Sequence, residues 1–242
     1  MRAPIAGITG VLLVAAVVGA TAWVQPFVGR PYLHTNLYLP SGKFMEQASL
    51  DYPELASDMV WFQAVQYYGG YRLSQHDLAY FGGLIDIVTE LDPHFEFPYI
   101  FGAVVMAQDM GDIDRGIRLL KRGMGNNPTM YELPFEIGFL YYTVARDDSA
   151  AARYFDLASR LPGGKDRAGR FAAFVYSRAG HTQTSIRMWQ EIANDPDEQP
   201  YLRDLAKHYL QELENGTAPR RMLTPDGRPK SPPAVRGGSN DI

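Results

Sequence analysis

Four prolines constrain the fold more than any other feature of this chain. Leu91-Asp92-Pro93, Asn126-Asn127-Pro128, Leu161-Pro162 and Asn194-Asp195-Pro196 each close an apolar run of helical spacing, and successive prolines stand 35, 34 and 34 residues apart. Proline has no amide hydrogen and its ring clashes with the preceding turn, so it stops a helix. A stop recurring every 34 residues or so marks a chain built from one repeated supersecondary unit. A unit of that size cannot bury its apolar face alone; it becomes stable by stacking on its neighbours.

The interior of the units follows the same period. In the third, Ile137-Gly138 is followed by Tyr141, Ala150, Tyr154 and Ala158 before Pro162. This resembles the tetratricopeptide repeat, in which a small residue on helix A admits helix B, an aromatic three residues later fills the gap, and a small residue on helix B packs against it. The second unit has Gly111-Asp112 at its turn and Gly116-Ile117 at the packing position. The fourth has Ala172-Ala173, Tyr176 and Gly180, with Pro196 about one residue early for that register. The first has Trp61, Ala64 and Tyr68, with a turn expected to be lengthened through Gly69-Gly70-Tyr71. Gly123-Met124-Gly125 reads as a helix end. Residues Tyr201 to Leu213 carry Leu202, Leu205, Ala206, Tyr209, Leu210 and Leu213 on one stripe and read as a final capping helix, stopped by Asn215-Gly216. The resemblance implies an all-α chain: a right-handed α-solenoid of about four helix-turn-helix repeats over residues 55–215, cap included.

A different segment precedes it. Residues 3–29 carry no charge, and Ile5 to Val24 is a run of twenty residues with no ionisable group. At 1.5 Å per residue such a run is roughly 30 Å long, the thickness of a hydrocarbon core. Residues 1–30 are therefore expected to be either a transmembrane signal anchor or a cleaved signal peptide, with Ala20-Thr21-Ala22 as the cleavage site. Both readings place the repeat domain outside the cytoplasm, in the periplasm if the cell is bacterial. Residues 31–54 read as an extended linker packing on the repeats. Residues 216–242, rich in Pro and Gly and poor in large apolar side chains, read as a disordered tail.

Chemistry is sparse. With no cysteine, thiol catalysis, disulfides and cysteine-based metal sites are excluded. His34, His76, His94, His181 and His208 show no metal-binding spacing, and there is neither a phosphate-binding loop nor a nucleophile elbow. Asp147-Asp148 and Asp195-Pro196-Asp197-Glu198 are carboxylate clusters at turns, where solvation is the ordinary role. The net charge of −4 speaks against a nucleic-acid-binding surface over the whole chain. No enzyme, cofactor, metal or small-molecule substrate is expected.

What remains is a surface. In repeats of this type helix A lines a concave face. The register set by Gly138 gives Phe62 and Gln66 in the first unit; Phe101, Val105 and Gln108 in the second; Phe135, Phe139 and Tyr142 in the third; and Arg170, Phe174 and Arg178 in the fourth. This groove grades from aromatic to basic, and it is either open to a partner or covered by residues 31–50. The chain is similar to bacterial membrane-anchored tetratricopeptide proteins. The similarity implies a membrane-tethered scaffold for protein–protein interaction in assembling or stabilising an envelope complex. The alternative is a permanent accessory subunit packing through its membrane helix, where Ala6 and Gly10, Ala15 and Gly19, and Ala16 and Ala20 stand four apart.

Overall fold

The computed structural model describes residues 52–75, 77–217 and 219. Among them there are nine α-helices and no strand: α1 (Pro53–Arg72), α2 (Phe81–Leu91), α3 (Glu96–Gln108), α4 (Ile113–Asn126), α5 (Glu132–Leu140), α6 (Asp148–Ser159), α7 (Lys165–Arg178), α8 (Thr182–Asn194) and α9 (Pro200–Glu214). A π-helical turn, Tyr141–Ala145, extends α5. The expected anchor or signal (1–30), the rest of the linker up to residue 51, His76 and the tail apart from Gly216, Thr217 and Pro219 lie outside the described residues. Among the described residues no helix is long and apolar enough to cross a membrane.

The periodic prolines all fall in one class of connection. Pro93, Pro128, Pro162 and Pro196 lie between α2 and α3, α4 and α5, α6 and α7, and α8 and α9. The other class is periodic too. Gly111, Arg146 and Gly180 have positive φ (72°, 59° and 83°) and end α3, the π turn and α7. The next residue then opens a helix: Asp112 accepts the Arg115 amide and Asp147 the Ala150 amide, each at 2.9 Å. These are N-caps, satisfying amides that have no partner within the first turn.

Packing is local. Each helix contacts the next, and α3 also contacts α5. Two hydrophobic clusters result, the first running from α1 to α5 and the second from α5 to α9. Helix α5 belongs to both: Leu133, Ile137 and Leu140 face the first, and Phe135 the second. Buried hydroxyls tie helices together, with Ser57 Oγ donating to the Val88 carbonyl at 3.0 Å and Ser185 Oγ to the Ala173 carbonyl at 2.7 Å. The connections are also joined. Asn127 Nδ2 donates to the Pro93 carbonyl at 3.1 Å, and Lys165 pairs with Asp195.

One local expectation is corrected. Gly69, Gly70 and Tyr71 lie inside α1, and the turn follows Arg72. Tyr71 packs against Tyr68 and the first cluster, which offsets the ~1 kcal/mol that each mid-helix glycine costs. Gly123, Met124 and Gly125 lie in the last turn of α4, the helix end expected, and Gly123 is buried. A β-carbon there would stand 2.8 Å from the Tyr99 ring, so Gly123 in this helix end is also a packing position.

Candidate partner-binding surface

Helix α1 has two apolar faces. One carries Val60, Ala64 and Tyr67 into the core, with the buried Ser57 beside them. The other is open to solvent. Tyr52, Leu55, Met59, Phe62, Gln66, Gly69 and Leu73 follow one another at intervals of 3, 4, 3, 4, 3 and 4 residues. With 3.6 residues per turn, such spacing draws one straight stripe along a helix, and it is the spacing of a coiled-coil seam. Leu55 (59% exposed), Met59 (62%), Phe62 (63%) and Leu73 (72%) stand out along it. A β-carbon on Gly69 would meet nothing within 4 Å, so the stripe stays flat there. Glu54 and Asp58, both exposed, flank its N-terminal half.

The opposite terminus of the helix succession is different. Helix α9 buries Leu202, Ala206, Tyr209 and Leu213 and turns Asp204, Lys207, His208, Gln211 and Glu214 to solvent. That is a polar cap. Trp189 stacks on Tyr209 beneath it, with ring centroids 4.6 Å apart. The described succession thus ends in water at α9 and in an apolar stripe at α1. Six exposed positions on one face, with the half-buried Gly69 among them, make a patch, unlike the scattered apolar residues any surface carries.

The residues assigned to a concave groove separate. Phe62 and Gln66 are exposed and belong to the α1 stripe. Gln108 and Arg178 are exposed; Phe101, Phe139, Tyr142 and Arg170 are half-buried. Val105, Phe135 and Phe174 are corrected: all three are core residues, exposed by 2%, 1% and 0%. Phe135 is enclosed by Phe139, Phe155 and Phe171, and the Arg167 guanidinium covers its ring at 4.1 Å. Phe174 packs edge-on against Tyr209. In the second and third units a neighbouring residue is half-buried instead: Val104 beside Val105, and Glu136 beside Phe135.

Phe101 anchors an aromatic cluster joining α1 to α3. Its ring lies 5.5 Å from Trp61, 5.2 Å from Tyr68 and 6.1 Å from Phe97. Phe97 is itself exposed and extends the apolar surface from α1 onto α3. Further along, Arg178 pairs with Asp148 at 3.0 Å and lies over the Tyr142 ring. Glu136 on α5 is half-buried. Burial pushes its carboxyl up, against the opposing pull of the Arg167 guanidinium.

Sequence reasoning missed Leu55, Met59, Phe97, Glu136 and Arg167. The 3–4 spacing of the α1 stripe was readable. It was hidden because α1 also carries a core stripe, so two apolar faces overlap in one sequence. The surface can bind an apolar helix face; among the described residues no group of three or more His, Asp or Glu could hold a metal ion. No protein-family model matches the chain, and no curated protein is significantly similar to it.

Proposed function

We propose that this chain is a membrane-tethered scaffold of the tetratricopeptide type, a right-handed α-solenoid of four helix pairs and a cap, which holds a protein partner of an envelope complex. The two periodic classes of turn and the neighbour-to-neighbour packing support the repeat reading. The charge-free run of residues 5–24 supports the tether, with the repeats outside the cytoplasm.

The observation that carries the binding role is the solvent-exposed α1 stripe. Its occupant is an amphipathic helix of a partner protein, with its own 3–4 apolar repeat and basic residues alongside. The apolar spacing matches helix-in-groove recognition. The exposed Glu54 and Asp58 call for positive charge on the partner. The large side chains of the stripe offer on the order of 700 Å², close to the ~800 Å² per partner of a standard interface.

The test is co-purification of the full chain from detergent-solubilised membranes, wild type against Met59→Asp with Phe62→Asp. Both positions are solvent-facing, so the helical content and unfolding midpoint of the variant should match the wild type. Loss of a stoichiometric partner in the variant supports the reading. An unchanged partner set in a folded variant overturns it.

A further inference from the structure

We propose that a pocket on α2 and α4, distinct from the α1 stripe, binds a phosphoester. The pocket has a volume of about 370 Å³ and is lined by Asp86, Met106, Arg115, Arg118, Leu119 and Arg122. That volume lies at the small end of the ~300–1,000 Å³ typical of ligand sites.

Arg115, Arg118 and Arg122 stand at i, i+3 and i+7 on α4, so their side chains share one face of the helix. Two of them are held in place. Asp86 on α2 accepts Arg122 at 2.9 Å on one carboxylate oxygen and Arg115 at 3.3 Å on the other. Arg122 also donates to Thr89 Oγ1 at 2.7 Å. Thr89 Oγ1 is itself fixed by donating to the Ile85 carbonyl at 2.9 Å. Arg118, between them in sequence, is exposed and has no ion pair among the described residues. Three guanidinium groups thus face one carboxylate. The surplus is positive, in a chain whose net charge is −4.

The Arg115 guanidinium has room because position 82 is glycine. A β-carbon there would stand 2.2 Å from an Arg115 terminal nitrogen. Guanidinium groups suit tetrahedral oxyanions, offering paired N–H donors in a planar fork. The floor of the pocket is apolar, from Met106 and Leu119, both buried. It would take the organic part of the ligand. The chemistry is that of a phosphate ester with a short carbon body, whether a phospholipid headgroup or a soluble phosphoester.

The experiment titrates the full chain in zwitterionic detergent at fixed ionic strength, with inorganic phosphate, glycerol 3-phosphate and dihexanoyl-phosphatidylglycerol as separate probes. Two variants accompany it. Arg118→Gln removes the unpaired guanidinium, and Gly82→Ala displaces that of Arg115 without changing charge. Arg153→Gln, an exposed arginine on α6, controls for general charge. The proposal expects saturable binding of a phosphoester, weakened about tenfold by Arg118→Gln and by Gly82→Ala, as for loss of one charged hydrogen bond, and unchanged by Arg153→Gln. Preference for the short-chain lipid identifies a headgroup as the source; preference for glycerol 3-phosphate identifies a soluble ester. Absence of saturable binding by all probes, or equal weakening by all three variants, overturns the proposal.

Discussion

The carbonyl oxygen of Ala103 lies where a β-carbon on Gly116 would stand only 2.7 Å away. Helices α3 and α4 therefore cross with backbone against backbone. Gly116→Ala gains about 1 kcal/mol in helix propensity. It nonetheless forces two main chains apart, and overpacking of this kind costs about 1–3 kcal/mol. The expected result is a net loss of stability, read as a lower midpoint in urea unfolding. A gain would show that the two helices slide apart freely.

The three periodic left-handed turns are not equivalent. Two use glycine; the third uses Arg146, at φ 59°. An L-residue with a β-carbon is strained there by about 1–2 kcal/mol. Arg146→Gly should stabilise the chain by about 0.5–1 kcal/mol, since glycine's greater freedom when unfolded offsets part of the relief. Asp147→Ala next to it should destabilise by about 1 kcal/mol through loss of the cap on the Ala150 amide. Both are measurable by urea unfolding of the single variants.

Glu136 makes stability depend on pH. Burial raises its carboxyl, so the folded chain holds that proton more tightly than the unfolded chain does. Its contribution is fully present below the ordinary glutamate pKa of about 4.3 and is lost as pH rises through the higher folded value. Glu136→Gln should therefore be more stable than wild type at neutral pH, with the difference closing as pH falls below the ordinary glutamate range. Unfolding midpoints of the two proteins across that range check the sign.

The order of helices was legible because punctuation is a local property. Pro93, Pro128, Pro162 and Pro196 each sit in a connection of one class, and Gly111 and Gly180 in the other. Arg146 escaped notice because it occupies a glycine position without being glycine. The outer face was poorly legible for a different reason. Helices α3 and α5 are apolar nearly all round, since α5 serves both core clusters, and a helix without a polar stripe gives no rotational register. The pattern then does not show that Val105 and Phe135 are buried while Val104 and Glu136 beside them are half-buried. Helix α4 was simpler: Ile117, Leu119, Leu120 and Gly123 form one buried face under an arginine-rich one.

Substitutions also separate core from surface among the residues first assigned to the groove. Phe135→Ala should cost about 3–5 kcal/mol, as for a fully buried phenylalanine. Phe62→Ala, at a site 63% exposed, should stay within about 0.5 kcal/mol of wild type. Thermal unfolding of the two variants side by side reads the difference.

The central claim, that the α1 stripe docks a helix of another protein, is tested most directly by site-specific photocrosslinking of the full chain in cells that express it. The probe is placed at Met59 or Phe62, with Lys207 and Gln211 on the polar face of α9 as controls, and the captured segment is sequenced by mass spectrometry. The account predicts that the α1 probes, but not the α9 probes, capture an amphipathic, basic-flanked helix of a different polypeptide. Capture of residues 31–51 of the same chain, capture of a second copy, or equal capture from α1 and α9 would contradict it.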